Sequence, residues 1–133
     1  MRKNTRIFIV FLVFILSSCL LVNFPPEIPN SPVPANYQQL TLGSVPAENS
    51  INVTLEWNSS DINVDTIYYD IYFGDSSTNL ELISGEQIES FLIMTALKYN
   101  KTYYWKVKAK DRKGGVAEGE IWSFSTTSNN FIP

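Results

Sequence analysis

Two kinds of hydrophobic pattern divide the chain. Residues 7–16 form an unbroken apolar run behind a basic head of Arg2, Lys3 and Arg6, whereas from Val53 onward apolar and polar residues alternate. A short apolar run behind basic residues is typical of an export signal, while alternation with period two indicates strands with one buried face. The pattern therefore predicts an exported chain whose folded part is built of β-strands.

The alternation recurs in short segments. Two strands shorter than those that carry the alternation are expected over 80–83 and 91–94. A turn is expected over 111–115, where Gly114 and Gly115 can take positive φ. Short strands at regular spacing, without a helical period, predict an all-β fold, namely an antiparallel β-sandwich. The alternating apolar positions, expected to face the core, are Val53, Leu55, Trp57, Tyr69, Ile71, Phe73, Tyr103, Trp105, Val107, Ala109, Trp122 and Phe124.

Prolines crowd the segment before the first alternating strand, at Pro25, Pro26, Pro29, Pro32 and Pro34. Proline lacks the backbone N–H and fixes φ, so this spacing suppresses helix and interior strand and favours an extended connector. We expect a connector over 19–35 that holds the folded part away from a bilayer, with its last residues docking along a sheet edge. A single domain over 36–127 and a short tail over 128–133 complete the predicted organisation.

Small residues and the only cysteine of the chain follow the apolar run. Leu16-Ser17-Ser18-Cys19 resembles the lipobox of bacterial lipoprotein signals, in which the thiol receives a diacylglyceryl group before cleavage. The resemblance implies a signal peptide over 1–18 and a lipid anchor at Cys19. The alternative is an uncleaved membrane anchor over 7–24, whose length approaches the roughly 20 residues that span a bilayer. Both interpretations place the rest of the chain on the exported side of a membrane.

Composition narrows the possible functions. Without the three basic residues of 1–18, the chain has seven Lys and Arg against 13 Asp and Glu, a formal charge of −6. That balance argues against nucleic acid and against electrostatic binding to an anionic membrane, both of which attract a positive surface. The chain has no histidine, the commonest general base and metal ligand near neutral pH, and no thiol besides Cys19. We therefore expect neither an enzyme nor a cofactor.

Five motifs follow one another along the chain: Leu55-Glu56-Trp57, residues 69–74 (YDIYFG), Leu97 with Tyr103, residues 104–111 (YWKVKAKD) and residues 121–126 (IWSFST). In this order they resemble a bacterial fibronectin type III domain. The resemblance implies a seven-stranded Greek-key sandwich in which Leu97 and Tyr103 form a tyrosine corner. It also implies a non-enzymatic protein-interaction or adhesion module.

One face of two predicted strands is the candidate ligand surface. If the strands pair as the family implies, tyrosines and lysines surround a single acid there. Tyrosine offers a large contact area at low entropic cost, so this face could bind a protein or stack on sugar rings, which would make the domain a carbohydrate-binding module. The alternatives are an ordinary solvated sheet face and a purely structural spacer or subunit of an envelope complex. The residues of the face are Tyr68, Asp70, Tyr72, Tyr104, Lys106 and Lys108.

The segment from Asp61 to Asp65 has side-chain oxygens at alternate positions, as calcium loops do. Thr66 stands where an EF-hand loop has glycine, and Tyr72 stands at its twelfth position. Three oxygens are few for the 6–8 ligands of calcium, and the alternative is a turn whose side chains cap their own backbone. The prediction is a turn without a metal.

Overall fold

A computed structural model describes residues 22–42 and 50–128. The predicted signal peptide, the lipidation site Cys19 and the end of the tail lie outside the described residues. Within the described ranges no helix is long and apolar enough to cross a membrane. The strands there are β1 (Asn30–Val33), β2 (Gln38–Leu42), β3 (Ser50–Asn58), β4 (Tyr68–Ser76), β5 (Asn79–Gln87), β6 (Phe91–Lys98), β7 (Lys101–Lys110), β8 (Val116–Glu118) and β9 (Trp122–Ser128).

The strands form two sheets that pack as a sandwich, as predicted. One sheet has the order β1-β3-β6, and the other has the order β2-β9-β7-β4-β5 with β8 also paired to β7. The described strands number nine rather than seven because the first strand is divided into β1 and β2 and the last strand into β8 and β9. One pair departs from the predicted antiparallel pattern: β2 runs parallel to β9, with Gln38 opposite Phe124. After Val33 the chain passes from the smaller sheet to the larger one, where β2 runs in the same direction as β9.

The core consists of the apolar positions that the alternation predicted. Trp57 is 2% exposed, whereas its neighbours on β3 point to solvent. Trp105 on β7 is fully buried, and its ring centroid lies 6.2 Å from that of Trp57 and 4.8 Å from that of Trp122. Phe73 is the one predicted core residue that is half-buried, and it stacks on Tyr103 at the margin of the core.

The predicted tyrosine corner is present. The backbone N–H of Lys98 donates to the hydroxyl oxygen of Tyr103 across 2.8 Å, and Leu97 beside it is buried. This bond ties the end of β6 to the start of β7, so the connection between the two sheets has a defined geometry.

The described part of the predicted connector is packed on the sandwich. The backbone N–H of Glu27 donates to the carbonyl of Ser60 across 2.7 Å, and the Ser59 hydroxyl donates to the carbonyl of Glu27. β1 then pairs with β3 at the edge of its sheet, with Asn30 opposite Asn58. An edge strand tolerates proline because one row of its backbone groups needs no partner strand. The segment from 22 to 33 therefore belongs to the folded unit.

Replacing Trp57 by alanine should cost about 3–5 kcal/mol of unfolding free energy, because it leaves a cavity between the sheets. Urea or thermal unfolding measures the loss. Glu56→Ala is the matched control, since that side chain is exposed on the same strand and should change stability by less than about 0.5 kcal/mol. An unchanged melting temperature in Trp57→Ala would contradict the strand register described here.

Tyr103→Phe tests the tyrosine corner separately from core packing. The ring stays, but the Lys98 N–H loses its acceptor, so unfolding free energy should fall by about 1–3 kcal/mol. Tyr104→Phe, one residue along the same strand and facing outward, is the control. Equal stabilities of the two variants would show that the corner bond contributes nothing.

Candidate functional site

Strands β4 and β7 place the predicted ligand residues together on the outer face of the larger sheet. Their register sets Tyr68 opposite Lys110, Asp70 opposite Lys108 and Tyr72 opposite Lys106. These side chains point outward because the residues between them on both strands face the core. We call this surface, together with Tyr104, the tyrosine face.

Cations lie against two of the tyrosine rings. The Nζ atoms of Lys106 and Lys108 lie 5.2 Å and 5.8 Å from the centroid of the Tyr72 ring. The guanidinium carbon of Arg112 lies 3.7 Å from the centroid of the Tyr68 ring. Cations at such distances are attracted to the negative face of an aromatic ring. Tyr68 and Tyr72 are thus two rings of the tyrosine face that have cations beside them, and both rings are half-buried.

Acidic side chains from neighbouring strands neutralise these cations. The Lys110 ammonium lies 2.7 Å from Asp70 and also pairs with Glu86, and these two hydrogen bonds raise its pKa. Glu118 on β8 binds the ammonium of Lys106, whose hydrogen bond lowers the pKa of that carboxyl. Hydrogen bonds from Lys110 and then Arg112 likewise lower the pKa of Glu86.

Glu86, Arg112 and Glu118 were not among the residues predicted for this site. A signal for Glu118 was present, because a hairpin turn through Gly114 and Gly115 brings it opposite Lys108. Glu86 had none, since the pairing of β4 with β5 is interrupted by register shifts that alternation does not reveal. The face thus carries alternating acids and cations around tyrosine rings, where the sequence suggested lysines around one acid.

A second charged cluster lies where the β3–β4 and β7–β8 connections meet. One carboxylate oxygen from each of Asp61, Asp65 and Asp111 lies within 4.8 Å of the others. As predicted, Asp61 caps its own turn: its Oδ1 accepts the backbone N–H groups of Asn63 and Asp65 at 2.8 and 3.3 Å. Asp111 was not predicted to be near this loop, from which it is distant in sequence.

Asp111 ties the proline-rich segment to the sandwich. Its Oδ2 accepts the side-chain N–H of Asn23 across 2.6 Å, and its Oδ1 accepts the backbone N–H groups of Lys113 and Gly115. The Asn23 bond is the main cause that lowers the pKa of this buried carboxyl. Gly115 has to be glycine here, because a Cβ would fall 2.1 Å from Asp111 Oδ2 and 2.7 Å from the Cα of Pro25.

The cluster has its own cation in Lys113, whose ammonium lies 2.5 Å from Asp65. That hydrogen bond raises the pKa of Lys113. Asp61 Oδ2 and Asp65 Oδ2 are buried and accept no hydrogen bond. Four of the six carboxylate oxygens already accept hydrogen bonds within the protein, which leaves fewer free oxygens than the 6–8 ligands that calcium takes. The hydrogen bonds of this cluster join the β3–β4 and β7–β8 connections to each other and to the proline-rich segment.

Known proteins share the fold of this chain. A scan against protein-family models and a search of curated proteins find no match. The fibronectin type III domain of human fibronectin type III domain containing protein 3 has a TM-score of 0.54 and 18% identity, covering 81% of this chain and 92% of that one. The sixth fibronectin type III domain of the same human protein has a TM-score of 0.50 and 16% identity, covering 71% and 90%. At these identities the likeness concerns the fold alone, and the fold is a fibronectin type III-like β-sandwich.

Proposed function

We propose that this protein is a bacterial lipoprotein, anchored through Cys19 on the exported side of a membrane, whose single domain is a non-enzymatic protein-interaction module. The anchor rests on Leu16-Ser17-Ser18-Cys19 behind the basic head and apolar run. The interaction role rests on one observation, the tyrosine face across β4 and β7. Tyrosine and arginine are enriched in protein interfaces, where rings fill pockets and polar tips find partners.

The cations on the rings favour a protein partner over a glycan. A sugar stacks on the open face of an aromatic ring, but Arg112 covers Tyr68 and two lysines lie near the Tyr72 ring. A protein surface can exchange ion pairs with Glu86, Glu118 and the lysines without uncovering the rings. Complementary charges of this kind direct association and register more than raw affinity.

A non-enzymatic role agrees with the chemistry of the chain. It has no histidine, and Cys19, its only thiol, is assigned to the lipid. The structural neighbours are fibronectin type III domains, a fold that gives no evidence of an enzyme. The alternative is a structural spacer or envelope subunit, and capture of a partner from native membranes distinguishes it from an interaction module.

Intact mass of the membrane fraction tests the anchor. The mature chain should begin at Cys19 and carry several acyl chains, because about 0.8 kcal/mol per buried CH₂ makes a single chain marginal and several chains stable. Cys19→Ser should carry no acyl mass, because a hydroxyl replaces the thiol that receives the diacylglyceryl group. A full-length chain with an unmodified Cys19 that stays in the membrane would instead support the uncleaved anchor over 7–24.

Capture from native membranes tests the tyrosine face. A Tyr68→Ala, Tyr72→Ala, Tyr104→Ala variant should lose the captured partner, at a stability cost of about 0.5–1 kcal/mol for each cation–ring contact removed. The matched control is Thr54→Ala, Glu56→Ala, Asn58→Ala on the exposed side of β3, which should retain the partner.

Three other outcomes would count against a protein-binding tyrosine face. Undiminished capture by the tyrosine variant places the interaction on another surface. Tyrosine-dependent binding on a glycan screen supports the carbohydrate-binding module instead. A wild-type chain that captures nothing beyond the control supports the spacer.

A further inference from the structure

The proline-rich segment places the N-terminal anchor at one end of the sandwich. The carbonyl of Val22 accepts the Asn63 side-chain N–H across 3.2 Å, and the backbone N–H of Phe24 donates to Asn63 Oδ1 across 2.8 Å. Both bonds hold the segment against the β3–β4 connection. Asn23 makes the corresponding contact to the other connection through Asp111. The position of Val22 is thus fixed from two sides.

The distance from Val22 to the anchor is limited by covalent geometry. Cys19 and Val22 are separated by three Cα–Cα steps of about 3.8 Å, so their Cα atoms lie at most about 11 Å apart in any conformation. A lipid on Cys19 therefore brings the end of the sandwich that carries the β3–β4 and β7–β8 connections to the bilayer surface. No spacer of useful length remains between the two.

That end of the sandwich exposes apolar side chains. Val22 and Phe24 stand on either side of Asn23, and the Asn63 side chain binds the backbone of both. Ile62 and Val64 are the neighbours of Asn63 in the β3–β4 connection. Val116 lines a shallow depression together with Asn23 and Pro25. We call these five apolar residues the loop-end patch. Their exposed fractions are Val22 63%, Phe24 51%, Ile62 77%, Val64 90% and Val116 53%.

The backbone at Val64 holds its side chain outward at a cost. Its φ is 60°, in the left-handed region that β-branched residues rarely adopt. The turn is maintained by the hydrogen bond from the Val64 N–H to the carbonyl of Asp61 across 3.0 Å. The Val64 side chain is nine-tenths exposed, so its burial does not compensate for the cost of the strained backbone. Backbone strain of this kind is typically found at functional sites.

The charges beside the patch suit a bilayer. Asp61, Asp65 and Asp111 are not exposed, because their carboxylates point towards each other and towards Asn23 and Lys113. The Lys113 side chain is 59% exposed. The loop-end patch thus combines apolar side chains with an exposed ammonium, as interfacial membrane-binding segments do.

We infer that the loop-end patch is a membrane-contact surface that seats the domain on the lipid bilayer beside its own anchor. The inference rests on the proposed anchor at Cys19 and commits to lipid as the occupant, because the chain between Val22 and Cys19 is too short for another. Apolar side chains of peripheral proteins enter about 5–10 Å into the headgroup boundary. Because β4 and β7 lead away from this end, the tyrosine face begins beside the patch at Tyr68 and extends away from the membrane towards Tyr72 and Tyr104.

Depth-dependent quenching tests the orientation on the full-length lipoprotein. Because Cys19 is the only cysteine and would be occupied by lipid, a newly introduced cysteine is a unique site for a fluorophore. Val64→Cys and Val116→Cys place the probe in the patch. Ser77→Cys is the matched control, since it lies beyond the nine-residue strand β4, about 30 Å away. Each protein is reconstituted into phosphatidylcholine vesicles that carry a nitroxide near the headgroup end of the acyl chain.

The two patch probes should be quenched several-fold more than the Ser77 probe. Adding Ile62→Ser and Phe24→Ser to Val116→Cys should reduce its quenching several-fold if the patch itself makes the contact. Intact mass of the same samples separates the two proposals. Equal quenching at all sites with Cys19 lipidated overturns the orientation alone, whereas an unmodified Cys19 overturns the anchor and the orientation with it. A Val64 probe shielded from aqueous iodide but not quenched by lipid indicates a protein or second copy on the patch, and also overturns the inference.

Discussion

The burial of Trp105 between the two sheets is the constraint on which the other features depend. Strand β7 lies in the middle of its sheet, between β9 and β4, and Trp105 contacts Trp57 from the opposite sheet and Trp122 from its own. Once this ring faces inward, the pleat of the strand sends its neighbours Tyr104 and Lys106 outward. A register slip of one residue would bury lysines and expose tryptophans, so the core and the tyrosine face determine each other.

The two charged clusters have different structural roles. On the tyrosine face, Glu118 of β8 pairs with the two lysines near the Tyr72 ring and Glu86 of β5 pairs with the Arg112 that covers Tyr68. Exposed ion pairs of this kind contribute little to stability. Their effect is to fix side-chain positions on a surface. At the loop end, by contrast, Asp111 is 4% exposed and accepts hydrogen bonds from Asn23 and two backbone N–H groups. That carboxylate joins the proline-rich segment to the domain and so fixes the position of Val22, from which the chain leads back to the proposed anchor at Cys19.

These two arrangements give the proposed lipoprotein a defined geometry. A docked lead-in leaves three Cα–Cα steps between Cys19 and Val22, so the domain would sit on the bilayer through Ile62 and Val64 rather than hang from a spacer. The tyrosine face follows the length of β4 and β7 and would extend away from the lipid. A partner could then approach parallel to the membrane and contact Tyr72 and Tyr104, which lie farther from the loop end than Tyr68.

The sequence by itself determined the features that depend on local patterns. Period-two alternation predicted β3, β4, β7 and the inward-facing aromatic residues, and Leu97 with Tyr103 predicted the corner bond, because strand pleat and short hydrogen bonds follow from nearby residues. The placement of Tyr72 and Lys106 on the same face of neighbouring strands also followed once the pairing of the family was assumed.

Only the tertiary structure decided which distant groups meet. Asn23 and Asp111 are 88 residues apart, and Glu86 reaches Lys110 across strands whose register shifts cannot be read from alternation. The docking of the proline-rich segment on Ser59 and Ser60 was equally hidden, since proline spacing predicts an extended backbone but not the surface that it contacts. Such contacts depend on how the loops and sheets pack together, and no short segment of the chain encodes them alone.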